Sequence, residues 1–244
     1  MNIFAFDENV SRKQKKILAR VRCLMNGETS QMLSESGFKY KKIYGVSLVH
    51  LRKLATEFEP DNKLAERLWY QGFRETMILA TMLADRELLT EKQINEWAGE
   101  ITNIELAEQM AFNLLGKRGN IKPVVDRWLS HSEIYVCYSA LMSIGWNFRF
   151  SGSELGDYVK DNYPLLELLA VEPLLAKGIF HCLKMMGRFD VCLHDSVVQL
   201  ASKWRDNHEY QLKMIGENVL FEFGLDDLVE GERYWVNYVK YKTF

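Results

Sequence analysis

The stretch TEKQINEWAGEITNIELAEQMAFNLLG, residues 90–116, contains two short helices whose ends can be recognised from the sequence. Thr90 and Gln93 have the spacing of a capping box, which starts the first helix. Asn103 is a favourable N-cap for the second helix, and Gly116 is the residue type that most often follows a helix end. The stretch therefore predicts two consecutive helices joined by a brief turn.

The second of these helices carries two carboxylates, Glu105 and Glu108, three residues apart. Side chains at this spacing lie near each other on a helix surface. The pair could do acid/base chemistry, or it could be the solvated side of an ordinary amphipathic helix. The spacing alone leaves both interpretations open.

Helical periodicity continues on both sides of this stretch. In FRETMILATMLAD, residues 73–85, the apolar residues recur near the 3.6-residue period while Arg74 and Glu75 occupy other positions, which predicts a half-buried helix. No segment shows a convincing strand alternation. Further helices are predicted over residues 11–25, 29–36, 47–58, 61–70, 121–130, 132–148, 151–162, 165–170, 173–187, 191–205 and 207–223.

This succession of short helices and short turns predicts an all-α fold. Stacked antiparallel helix pairs in an α-α superhelix are favoured over a compact bundle. At 244 residues, with no linker rich in proline, serine or glycine, the chain fits one domain over residues 1–244. No run of about eighteen apolar residues occurs, so we expect a cytoplasmic protein without a membrane partner. We also expect a monomer.

Histidine and cysteine spacing gives no indication of a metal site. The four cysteines are predicted to be buried, reduced thiols: Cys23, Cys137, Cys182 and Cys192. The sequence contains no dinucleotide fingerprint, no phosphate-binding loop and no serine-hydrolase elbow. No cofactor is expected.

Positive charge is concentrated near the N-terminus, although the formal net charge is only −2. Residues 1–55 hold eleven lysines and arginines against four acids, so the rest of the chain is net acidic. A basic N-terminal surface could receive an anion such as DNA. A solvated, lysine-rich first helix would give the same composition, and both interpretations stay open.

Four successive segments between Tyr44 and Leu114 have a distinctive order and spacing: YGVSLVHLRKLATEF, LAERLWYQGFRETMILATMLAD, LLTEKQINEWAGEI and NIELAEQMAFNLL. In this region the chain resembles the DNA alkylation repair family of HEAT-like repeat proteins, the AlkD-type DNA glycosylases. A weaker resemblance extends it to about residues 30–205. The resemblance implies HEAT-like antiparallel helix pairs whose concave face receives duplex or distorted DNA.

The resemblance also implies removal of cationic alkylated purines such as 3-methyladenine and 7-methylguanine. Cleavage of the C–N glycosidic bond passes through an oxocarbenium-like sugar, which a nearby carboxylate and aromatic faces stabilise. The family's catalytic Trp-x-x-x-Asp falls on Ile104 and Glu108 in this sequence. Glu108 keeps a carboxylate on a longer arm and is the candidate catalytic residue, whereas Ile104 lacks the aromatic ring.

Two further family positions also differ. An arginine that holds the DNA backbone is expected near Tyr135 and Tyr138, where a tyrosine hydroxyl would be a weaker phosphate contact. A later tryptophan aligns with His181, and Lys184 occupies a position that is often basic. The candidate DNA-binding residues are Ile104, Tyr135, Tyr138, His181, Lys184, Lys41, Lys42, Arg12, Lys13 and Lys16. Glu105 is interpreted as part of the solvated face.

These departures leave three hypotheses open. The chain could be a DNA-binding member of the family with weakened or lost excision, an active glycosylase using Glu108, or a protein-binding HEAT-like scaffold. Residues 206–244 are predicted to cap the last repeat. Stacking of bases by the aromatic residues of this tail is the alternative: Tyr234, Trp235, Tyr238 and Tyr241.

Overall fold

The structure, a computed structural model, describes residues 7–151 and 154–225. Within these residues the regular elements are helices, and an isolated parallel bridge joins Lys42 to Phe73. The described part of the chain contains fourteen α-helices: α1 Glu8–Cys23, α2 Gly27–Glu35, α3 Leu48–Ala55, α4 Asn62–Trp69, α5 Arg74–Leu83, α6 Glu91–Ala98, α7 Ile104–Gln109, α8 Lys122–Leu129, α9 Ile134–Phe150, α10 Gly156–Asp161, α11 Tyr163–Leu169, α12 Pro173–Phe189, α13 Val191–Arg205 and α14 Tyr210–Glu222. The predicted all-α class is confirmed.

The predicted helix starts in residues 90–116 are confirmed. The Thr90 side chain accepts from the Gln93 backbone N–H, and the Gln93 side chain accepts from the Thr90 N–H. Asn103 caps α7 by accepting from the Leu106 N–H at 2.9 Å. The second helix is less regular than predicted, because α7 ends at Gln109 and a π turn over Met110–Leu114 and a 3₁₀ turn over Leu115–Lys117 follow.

Contacts within the chain define two compact units, residues 1–139 and 140–244. In the first unit, α4 packs on α5 and the indoles of Trp69 and Trp97 stack with their centroids 4.4 Å apart. Both indoles are buried. They therefore form part of the core that supports the helices around α7.

In the second unit α12, α13 and α14 pack against one another. Gly216 allows α14 to approach α13 closely, since a Cβ there would lie 2.5 Å from the Ala201 carbonyl oxygen. Helix α14 falls in the predicted capping segment, whose capping role stays a prediction. The aromatic residues at 234–241, for which base stacking was the alternative prediction, lie outside the described residues.

Burial corrects the predictions for helix α5 and for two of the cysteines. Helix α5 is buried almost completely and includes Arg74 and Glu75 among its buried residues, because both make buried hydrogen bonds. Cys23 and Cys192 are exposed, whereas the other two cysteines are buried as predicted.

Among the helices that the structure describes, none is long and apolar enough to cross a membrane.

Candidate nucleic-acid interface

Helix α7 turns one side to the core and leaves the other partly exposed. Leu106, Ala107 and Gln109 are buried. Ile104, Glu105 and Glu108 are half-buried. The two carboxylates therefore lie at the boundary between the core and the surface, but their contacts differ.

Glu105 is held by a buried arginine. Its two carboxylate oxygens accept from Arg74 Nη2 at 2.6 Å and from Arg74 Nε at 2.8 Å. Such a two-point pair fixes both side chains. The Glu105 side chain is only 16% exposed, so the prediction that it belongs to the solvated face was wrong.

The same arginine joins Glu105 to a second carboxylate, Glu75, which is fully buried. Arg74 Nη1 donates to Glu75 at 3.0 Å and to the Val46 carbonyl at 2.8 Å, while Glu75 accepts from the backbone N–H groups of Tyr44 and Val46. Burial opposes the charge on Arg74, yet its hydrogen bonds and proximity to the two carboxylates raise its pKa. This network ties the loop before α3 to α5 and α7.

Tyr40 completes the attachment of the α7 N-terminus. Its hydroxyl donates to Asn103 Oδ1 at 3.2 Å and lies 3.4 Å from Glu105 Oε2. Burial, together with the Glu105 charge, raises the pKa of Tyr40, so the phenol stays protonated and remains a donor. The register of α7 is thereby fixed at its first turn.

Glu108 is oriented by a different partner, the phenol of Tyr138. The Tyr138 hydroxyl donates to Glu108 Oε1 at 2.9 Å, and Ser139 Oγ donates to the Ala107 carbonyl one residue earlier. Burial, followed by the charge of Glu108, raises the pKa of Tyr138. Tyr138 is fully buried, so it orients the carboxylate and does not present its hydroxyl to a phosphate. Tyr135 is half-buried.

An aromatic ring with two cations follows Glu108 along the chain. Phe112, in the π turn, is half-buried, and the Arg52 guanidinium and the Lys117 ammonium lie 5.6 Å and 4.8 Å from its ring centre. Burial and the nearby charges of Arg86 and Arg52 lower the pKa of Lys117. The sequence predictions did not include this cluster; the four-residue spacing from Glu108 to Phe112 could have indicated the ring, whereas nothing local indicates Arg52.

The predicted N-terminal cations fall into two groups. Lys13 and Lys16 form ion pairs, with Asp61 at 2.7 Å and with Glu57 at 3.6 Å. Arg12, Lys41 and Lys42 are exposed. The ammonium of Lys42 lies 4.6 Å from the ring centre of Tyr44, and the stem of Lys41 packs against Gly72.

His181 and Lys184 lie in the second unit. The His181 ring is 4.9 Å from the indole of Trp146, and burial together with Lys184 and Lys177 lowers its pKa to about 4. The ring is therefore neutral at physiological pH. Lys184 pairs with Glu222 at 3.3 Å and lies over the Phe180 ring.

Both the sequence and the fold are similar to those of known proteins. A model of the family described as DNA alkylation repair enzyme matches residues 17–149. The structure is similar to a solved structure described as "a new family of proteins related to the HEAT-like repeat DNA glycosylases with affinity for branched DNA structures". The two share 18% sequence identity with a TM-score of 0.66, and the match covers 86% of this chain and 94% of that chain.

No curated protein matches the sequence as a relative. The structural match, at its low identity, shows a common fold, which confirms the predicted HEAT-like class. The family match spans more than half of the chain and contains α7 together with the Arg74, Tyr138 and Phe112 contacts described above. On that evidence, this chain is a member of the DNA alkylation repair enzyme family.

Proposed function

We propose that this protein binds DNA, with a preference for branched or distorted DNA, and that its base excision is weak or lost. Family membership supports DNA as the ligand. The structural neighbour is related to DNA glycosylases and has affinity for branched DNA. The choice between binding and excision rests on the residues around Glu108.

The observation that carries the proposal is the pair of cations on Phe112. Excision needs a ring and a carboxylate that stabilise a positively charged sugar. Here position 104 is an isoleucine, and the ring at position 112 already has Arg52 and Lys117 against it. Cations beside the Phe112 ring repel a positively charged sugar and attract a phosphate. The surface around Phe112 therefore suits binding of the DNA backbone better than cleavage of a glycosidic bond.

Salt dependence tests the binding proposal. For each phosphate neutralised, the slope of log affinity against log salt changes by about 0.9, so Arg52→Ala and Lys117→Ala should each flatten it by roughly one. Lys13→Ala is the matched control, because that ammonium is already paired with Asp61. Equal slopes for all three variants would contradict the proposed interface.

We infer a secondary contribution from the exposed cations Arg12, Lys41 and Lys42. Their exposure supports this role, whereas the ion pairs of Lys13 and Lys16 favour a smaller part for those two. Absence of binding to both duplex and branched DNA at low salt would leave the protein-binding scaffold as the remaining hypothesis. That outcome would overturn the proposed function.

A residual glycosylase is the second candidate, and the Tyr138 hydrogen bond favours it. This bond holds the Glu108 carboxylate in one orientation, which is what stabilisation of a developing charge requires. In such a reaction the C–N bond would break with its electron pair leaving on the purine, which becomes a neutral base, and water would add to the cationic sugar and release a proton. Glu108→Gln removes the charge with little change in shape, so it should abolish any base release above the spontaneous rate.

A further inference from the structure

A cluster of aromatic rings around one arginine lies on the second unit. Trp146, Arg149 and Phe150 belong to the last turns of α9, and Phe189 ends α12. The Arg149 guanidinium lies 5.6, 5.7 and 5.9 Å from the ring centres of Trp146, Phe150 and Phe189. We call these four residues the ring cluster.

The ring cluster is partly exposed although three of its four residues are aromatic. Phe150 and Phe189 are 40% and 45% exposed, Arg149 is exposed, and Trp146 is half-buried. The rings of Trp146 and Phe150 stack 5.8 Å apart with 22° between their planes. Burial in the core does not explain such an arrangement, and a contiguous apolar patch at a surface commonly marks a binding site.

Positive charge accompanies the rings. His181, whose ring contacts Trp146, is influenced by the charges of Lys184 and Lys177. The carboxylate of Glu222 is shared between Lys184 and Arg188, at 3.3 and 2.9 Å. Arg149 itself lies against rings, which leave its charge in place. Rings beside the positive charge of Arg149 fit an anionic ligand that carries aromatic groups.

We propose that the ring cluster is a stacking platform for unpaired nucleobases, with Arg149 contacting a neighbouring phosphate. This inference rests on the proposed DNA binding and extends it to the form of DNA recognised. Bases in an intact duplex are already stacked, so an exposed phenylalanine ring cannot reach their faces. Unpaired bases at a branch point present those faces, and aromatic rings bind them without regard to sequence.

The test compares two fluorescently labelled DNAs, a three-way junction with unpaired nucleotides at its branch point and a fully paired duplex. The variants Phe150→Leu and Phe189→Leu keep an apolar side chain but remove the π face. We expect each to weaken junction binding about fivefold to tenfold while duplex binding stays within about twofold. Phe150→Tyr and Phe189→Tyr keep a ring and should retain junction binding.

Leu168→Ala is the matched control, because Leu168 is also in the second unit and is 74% exposed. It should leave both affinities unchanged. Far-UV circular dichroism of every variant is used to check that the helices are intact. Junction binding that tolerates both Phe→Leu variants overturns the stacking platform alone. A wild-type protein that binds neither DNA overturns the proposed function as well, so the two failures are distinguishable.

Discussion

Helix α7 in the first unit and the ring cluster in the second unit are both partly exposed, but different interactions hold them in place. The first turn of α7 is fixed by a buried guanidinium between two carboxylates and by a buried phenol. The ring cluster is held by stacking and by the contact of one guanidinium with three rings. Directional hydrogen bonds give α7 one geometry, whereas stacked rings accept bases of any identity.

This difference predicts that breaking the buried ion pairs of Arg74 costs much more stability than removing a ring from the ring cluster. When a buried charge loses its partner, no water molecule reaches the site to take the partner's place. A partly exposed ring that is removed leaves a surface that water covers at little cost. Stability measurements on variants of the two units therefore test this difference.

The largest effect is expected for Arg74→Ala, which leaves the buried Glu75 carboxylate without its cation. We expect a loss of about 3–5 kcal/mol in the free energy of unfolding, measured by urea denaturation. Arg20→Ala is the control, since Arg20 pairs with Glu57 at the surface and should contribute less than about 1 kcal/mol. A loss below about 1 kcal/mol for Arg74→Ala would contradict the conclusion that Arg74 fixes the position of α7.

An intermediate effect is expected from the protonation of His181 in the second unit. Its pKa falls from 6.5 to about 4 in the folded protein, so the unfolded chain binds more protons between these values. The stability that His181 contributes is fully present above about pH 6.5 and is lost as the pH falls through about 4. The free energy of unfolding changes by about 3 kcal/mol across this pH range.

The measurement is the pH dependence of the unfolding free energy for the wild type and for His181→Gln. Glutamine does not titrate in this range, so the variant should lose stability less steeply between pH 6.5 and 4. Parallel curves for the two proteins would show that burial of His181 does not disfavour its charge.

The smallest effect is expected for Tyr138→Phe, which removes the hydroxyl and leaves the ring in the core. Glu108 is half-buried and can take a hydrogen bond from water, so the loss should be about 1 kcal/mol. Tyr135→Phe, at a half-buried position on the same helix, serves as the control. A loss of several kcal/mol for Tyr138→Phe would place Glu108 in a more enclosed site than its partial exposure indicates.

Local features of the sequence predicted the local structure well. The capping box at Thr90 and the N-cap at Asn103 depend on neighbouring residues, and both are confirmed. The resemblance between Tyr44 and Leu114 predicted the family and the all-α, HEAT-like fold, which the family match and the fold neighbour confirm. Helix ends and family patterns are readable because they involve contiguous residues.

The contacts that define the candidate interface could not be predicted in the same way. Arg74 and Glu105 are 31 residues apart, and Tyr138 and Glu108 are 30 apart. Arg52 and Phe112 belong to different helices. Helical periodicity does not specify which residues of one helix meet those of another, so Glu105 resembled an ordinary surface residue. Its true partner becomes visible only when α5 and α7 pack together.

The most direct measurement follows binding and base release on the same methylated DNA under single-turnover conditions. Duplex and branched substrates carrying 7-methylguanine and 3-methyladenine are incubated with excess wild-type protein or with Glu108→Gln. We expect salt-sensitive binding by both proteins, tighter for the branched substrate, with base release no faster than in protein-free DNA. Release above that background which Glu108→Gln abolishes would contradict the loss of excision and identify an active glycosylase.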